Sequence, residues 1–298
     1  MNSKRAAACV LLVWGMIAGC GSSSPRAREG ERVGEGVAGG AEGSSELRMT
    51  ARSRRVAAGG DDVETVEKML EWDARETAVV LCDVWDSHWC AGARRRLDVM
   101  IPRMNAVVNT VRGGGGLIVH APSDTMKFYE GSPQRLLAKS APHAEPPSGM
   151  KRWNYLDPTC EAPLPIDDSD GGCDCEPQCA SPKGAPWPWT REHAGIEVKE
   201  GDAVTDNGQE VFNLFRQRGI KRVIVIGVHT NMCVLGRSFA IRQLVKWNFD
   251  VVLVRDLTDT MYNPRKPPLV SHDKGTELVV AHVERYWCPT VMSGDIVR

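Results

Sequence analysis

The sequence predicts an α/β protein: a three-layer, doubly wound, mostly parallel sheet with a Pro/Cys-rich insertion over about residues 140–190. Three observations predict it. Short continuous apolar runs at 78–82, 117–119, 223–226 and 251–254 suit parallel strands covered on both faces. Between the last two, residues 234–246 lack proline and hold a single glycine, Gly236, as a crossover helix of a βαβ unit would. The chain of 298 residues, 42% hydrophobic, is long enough for one such core.

The N-terminus has a different character. Lys4 and Arg5 precede an apolar stretch that closes on Ile17, Ala18, Gly19 and Cys20, and the stretch is short for a membrane-spanning helix. Residues 1–20 resemble a bacterial lipoprotein signal peptide, which implies acylation at Cys20 and a lipid-anchored place in the bacterial cell envelope, periplasmic or outer-surface. Residues 21–60, rich in Gly, Ser, Arg and Glu, read as a flexible linker, and residues 61–298 as the folded domain.

Within that domain Leu97, Met100, Ile101, Met104, Val107, Val108 and Val111 recur at helical spacing, with Pro102 kinking or splitting the helix and the glycines at 113–116 ending it. Residues 209–218 and 277–285 read as further helices, and 290–292 as a terminal strand. A formal net charge of −1 does not indicate a nucleic-acid-binding surface. A small-molecule substrate and a homo-oligomer are expected.

The chemistry centres on two residues. Cys233 falls where a strand turns into a helix, where free N–H groups and the helix dipole favour thiolate and can hold an oxyanion. Its alternative is a buried cysteine acting as a small hydrophobe. Asp83 closes the run 78–82 and so emerges at a strand's carboxyl end, where open α/β sheets place ligand sites. Its alternative is a helix-capping aspartate.

The run Gly227-Val-His-Thr-Asn-Met-Cys-Val234 resembles the nucleophile turn of the isochorismatase-like cysteine hydrolases, a superfamily that includes nicotinamidases and N-carbamoyl amidohydrolases. TAVVLCD at 77–83 looks like that family's first strand, and IEVK at 196–199 like the strand bearing its lysine; the likeness spans residues 71–291. It implies an Asp83–Lys199–Cys233 triad that hydrolyses an amide, carbamoyl or related substrate, acting on C–N bonds in the family's manner, through a Cys233 thioester, with Asp83 as proton carrier and no cofactor required. It also implies a cis peptide at Val228–His229 shaping the oxyanion hole; Trp85 and His120, near strand ends on the Asp83 edge, are expected near the substrate.

Two clusters remain open. Asp86, His88 and His120 follow strand ends on the Asp83 edge and suit either a metal site or plain pocket lining. The insertion, dense in proline, carries Cys160, Cys173, Cys175 and Cys179 in a C-x12-C-x-C-x3-C spacing that fits two disulfides or a zinc site, with an oxidising compartment favouring disulfides. The alternatives to a cysteine hydrolase are a metal-dependent amidase of the same fold and a non-catalytic surface module that presents the insertion.

Overall fold

The structure, a computed structural model, describes residues 45–57, 62–182 and 184–297. The expected signal peptide with Cys20, and residues 21–44 of the expected linker, lie outside the described residues. Two strands, β1 (Glu46–Val56) and β2 (Val63–Asp73), precede β3 (Thr77–Cys82). There follow α1 (Ala91–Gly113), β4 (Leu117–Ala121), α2 (Pro133–Ser140), β5 (Ala203–Val204), α3 (Gly208–Gln217), β6 (Arg222–Val228), α4 (Cys233–Gly236), α5 (Ile241–Lys246), β7 (Asp250–Asp259), α6 (His272–Tyr286), β8 (Thr290–Val291) and α7 (Ser293–Ile296).

The strands form one eight-stranded sheet in the order β2-β1-β8-β7-β6-β3-β4-β5. Strands β3 to β8 run parallel, and only β1 is antiparallel, to β2 on one side and β8 on the other. Each central strand is apolar throughout because both its faces are covered. Val79 and Leu81 pack into the layer of α1 and α7, while Ala78, Val80 and Cys82 pack into the layer of α3 and α5. The chain moves from β3 through β4 to β5, then returns to the other side of β3 with β6. The switch point therefore lies between β3 and β6, and both strands carry their carboxyl ends to the same edge.

Four expectations change against this frame. Residues 46–56 are strand, not linker: Leu47, Met49 and Ala51 are buried on one face at period two, and Arg52 and Arg54 lie along the strand as partners of Glu284, whose side chain is fully buried. Arginine density hid that alternation. Helix α1 neither splits nor stops at Pro102, which sits on its exposed side while the seven apolar residues face the sheet. The crossover expected as one helix is two, α4 and α5, with an extended Arg237 between them. Residues 196–199 are not a strand, and the edge strand on that side is β5, four residues further on. Among the described residues no helix is long and apolar enough to cross a membrane.

His120, expected near the substrate, is instead part of the framework. It lies fully buried in β4 with Nδ1 2.7 Å from Glu192 and Nε2 3.2 Å from Asp202, which also pairs with Arg112. Burial alone would lower its pKa, yet the Glu192 and Asp202 carboxylates outweigh that and raise it to about 9. A group whose folded pKa lies above its unfolded value stabilises fully below the unfolded pKa and loses that contribution as pH rises through the folded one. Here the window runs from the ordinary 6.5 to about 9. Denaturant unfolding should therefore show stability falling between about pH 6 and about pH 10, and His120→Gln should be less stable at the acid end and largely lack that slope. An unchanged pH profile in the variant would mean that other groups set it.

Candidate active site

The site is built at the switch point from the ends of β3 and β6. The two strands approach closely there: a Cβ on Gly227, whose φ is +116°, would lie 2.0 Å from the Cys82 carbonyl oxygen, so only glycine fits. The Val228–His229 peptide that follows is cis. The turn is then fixed on both sides. Thr230 N–H donates to the Asp259 carbonyl at 2.8 Å, its hydroxyl meets that of Thr258 at 2.7 Å, and Asn231 Nδ2 donates to Asp168 of the insertion at 2.8 Å. Cys233 emerges from this turn as the first residue of α4 and is buried.

Asp83 faces it from the end of β3. It is fully buried and holds a left-handed backbone, φ +52°, unusual outside glycine although aspartate tolerates it better than most. One carboxylate oxygen accepts the Ser123 N–H at 2.8 Å and the other accepts Arg237 Nε at 2.9 Å. The Cys233 thiol lies within electrostatic reach of both Asp83 and Arg237. Three side chains thus meet, and the cation among them is Arg237.

Lys199 is not brought to this group. Its ammonium is half-exposed and pairs with Glu197 at 2.9 Å and Asn109 of α1 at 3.0 Å. The cation arrives from α4's own end. Helix α4 closes after one turn because the insertion enters there: a Cβ on Gly236 would lie 2.6 Å from the Trp153 ring, and Asn154 N–H donates to the Gly236 carbonyl at 2.6 Å. Arg237 leaves the helix in extended conformation, bridged to Trp153, with its guanidinium 5.5 Å from that ring and on Asp83. The signal for it was in the sequence, as an arginine four residues past the cysteine.

Electrostatics at the site also depart from expectation. Burial pushes the Cys233 thiol well above its ordinary pKa; the Asp83 carboxylate adds to this, and Arg237 offsets only part of it. A one-turn helix supplies little dipole against that. The resting group is therefore a neutral thiol beside an ion pair.

Beyond Arg237 opens a cavity of about 320 Å³ whose lining includes Asp124, Met150, Arg152, Asp206 and Ser238. Burial and the neighbouring Asp124 raise the pKa of Asp206, which accepts the Asp124 N–H at 2.9 Å. On the other flank Trp85 donates its indole N–H to the Ser123 carbonyl at 3.0 Å and stacks on Trp189 at 4.0 Å, with Trp187 continuing the stack. His88 and His229 meet edge to face at 4.9 Å, and burial lowers their pKa values to about 4 and about 3, so both rings are neutral at pH 7.

The Asp86, His88 and His120 side chains form no common site. Asp86 accepts the Thr190 N–H at 2.9 Å and its hydroxyl at 2.7 Å, His88 Nδ1 accepts the Cys90 N–H at 3.1 Å, and His120 is held by Glu192 and Asp202. Each is spent on a separate loop anchor. The cysteine expectation changes as well: Cys160 lies beside Thr159, while Cys90, at the start of α1, joins Cys173, Cys175 and Cys179.

Comparison with protein-family models and with curated proteins finds no match. Among solved structures the chain is similar to a cysteine hydrolase from Pseudomonas syringae pv. phaseolicola 1448A, at 13% identity over 76% of this chain and 93% of that one, TM-score 0.47. It is similar also to an isochorismatase from Pseudomonas putida KT2440, at 12% identity over 75% and 91%, TM-score 0.45. A third is N-carbamoylsarcosine amidase from Thermoplasma acidophilum, at 14% identity over 73% and 96%, TM-score 0.39.

Proposed function

We propose that the protein is a cysteine hydrolase of a small amide or carbamoyl substrate, working through an Asp83–Arg237–Cys233 triad. The observation that carries this reading is the meeting of a buried thiol, a buried carboxylate and a guanidinium at the switch point of the sheet. Asp83 takes the proton of the Cys233 thiol as sulfur attacks the carbonyl carbon, forming a tetrahedral oxyanion. Collapse of the tetrahedral intermediate expels the amine, protonated by Asp83. Water then attacks the thioester carbonyl with Asp83 as base, releasing the acid and restoring the thiol.

Arginine changes how the group divides its labour. A guanidinium does not give up its proton, so Asp83 alone carries protons. Arg237 fixes the carboxylate and offsets negative charge as it moves from oxygen to sulfur. Carboxylate, guanidinium and thiol carry the same total charge as carboxylic acid, guanidinium and thiolate, so activation shifts a dipole and adds no net buried charge. That is how a thiol with a raised pKa can still serve as nucleophile.

Two outcomes are expected. Cys233→Ala and Asp83→Asn should each lower turnover of any amide substrate found by about a thousandfold or more, with little further loss in the double variant, whereas Lys199→Ala should stay within about twofold of the parent. At the same time Asp83→Asn should make Cys233 alkylate about tenfold faster near neutral pH, because it removes the negative charge that opposes the thiolate. Mass-spectrometric labelling kinetics beside turnover checks both; a slower-labelling Asp83→Asn, or a Cys233→Ala that still turns over, refutes the assignment.

Arg237→Gln leaves Asp83 buried without its cation and should cost about 3 to 5 kcal/mol of stability as well as activity. Adding Asp83→Asn to it should restore most of the stability and none of the activity. Thermal unfolding and turnover of the two variants separate the structural role of the pair from its chemical one.

A further inference from the structure

We infer that Cys90, Cys173, Cys175 and Cys179 bind one zinc ion as a tetrathiolate that clamps the insertion to the start of α1. Cys90 comes from the N-cap of α1, and the other three come from one short stretch of the insertion more than eighty residues away. The Sγ atoms of Cys90, Cys173 and Cys175 lie within 4.8 Å of one another, and Cys179 stands beside them, its N–H donating to Cys173 Sγ at 3.4 Å and its own Sγ accepting the Ala91 N–H at 3.5 Å. The Cys90 to Cys175 separation is 3.9 Å. Tetrahedral zinc with Zn–S bonds of about 2.3 Å sets its sulfurs about 3.8 Å apart, whereas a disulfide needs about 2.05 Å.

Backbone donors face all four sulfurs, and one carboxylate, that of Asp174, lies 3.8 Å from Cys90 Sγ. Each of the four sulfurs accepts a backbone N–H: Cys90 from Ala93 at 3.5 Å, Cys173 from Cys179 at 3.4 Å, Cys175 from Gly92 at 3.2 Å and Cys179 from Ala91 at 3.5 Å. Three of those donors belong to the first turn of α1, a helix of 23 residues whose N-terminal end favours negative charge. Arg96, one turn on, adds a cation and binds Asp174, which stands between two of the cysteines, at 2.6 Å. Gly92 permits that approach, since a Cβ there would lie 2.4 Å from an Asp174 oxygen. Backbone donors and a nearby cation fix the orientation of thiolate ligands and lower the cost of their charge.

Binding is a ligand exchange without redox change: four Zn–S bonds form, water leaves the ion, and the thiols release their protons to solvent, leaving a site of net charge −2. Its consequence reaches the active site proposed above. Arg96 also pairs with Asp259, which accepts at its backbone carbonyl from the nucleophile turn, and Asp168 of the same insertion holds Asn231. The clamp thus holds the insertion against the turn that carries Cys233.

Elemental analysis and native mass spectrometry of the full chain test this without reference to hydrolysis. About one zinc per chain is expected, retained in Cys160→Ser and Cys233→Ala and lost in Cys90→Ser and Cys175→Ser. Should the latter two fail to fold, cobalt exchanged into the parent provides the second measurement, with the intense sulfur-to-cobalt charge-transfer bands of a tetrathiolate expected. Disulfides mapped among these four cysteines in metal-free protein, iron in place of zinc, zinc lost with Cys160→Ser, or cobalt spectra lacking thiolate bands would each overturn the assignment.

Discussion

A carboxylate with no solvent exposure must have a cation or give up its charge, and Asp83 has Arg237. That pair governs the architecture around it. It requires α4 to end after one turn so that the chain can run extended across Asp83, and the ending is made by Trp153 and Asn154 of the insertion at Gly236. It also requires Asp83 to leave β3 in a left-handed conformation, with Ser123 after β4 taking the second carboxylate oxygen. Three strand ends and the insertion converge because one buried charge needs all of them.

The sheet was legible because parallel strands buried on both faces leave continuous apolar runs, and those at 78–82, 117–119, 223–226 and 251–254 mark four of the central strands. Asp83 and Cys233 were legible for a related reason, since each follows such a run. What escaped was whatever depends on a distant contact. Strand β1 hid because its arginines read as solvated charge, although Arg52 and Arg54 meet a buried glutamate from α6. The break after Gly236 hid because nothing local forces it: residues 234–246 are compatible with one helix, and only a tryptophan eighty residues earlier interrupts it.

Lys199 shows the same limit in a functional residue. A lysine between a β-branched run and a Glu-Gly-Asp turn has no local property that separates a catalytic ammonium from a surface one, and the structure gives it a surface partner, Glu197. Arg237 carried the better local signal, its spacing from Cys233 being one helical turn. The spacing suggests a neighbour on the same helix face, yet the residue reaches Asp83 only because the helix ends before it.

The insertion joins these observations. A stretch with so many prolines has no helix or sheet ladder to satisfy its backbone, so its stability must come from anchors at particular side chains. Among the described residues those anchors fall on functional ground: Trp153 and Asn154 at the break that frees Arg237, Asp168 on Asn231, Trp189 on Trp85, Thr190 on Asp86, and Glu192 on His120. Its own fold is thus specified by the residues around the candidate site, and the shape of that site is specified by the insertion. Between Cys160 and Trp187 the insertion is tied to the segment after β7, by Asp170 to Asn263 at 2.7 Å and Glu176 to Arg265 at 2.6 Å. Three of the four clustered cysteines lie there, and their link to α1 through Cys90 is where one strong bond set would constrain the longest stretch of irregular chain.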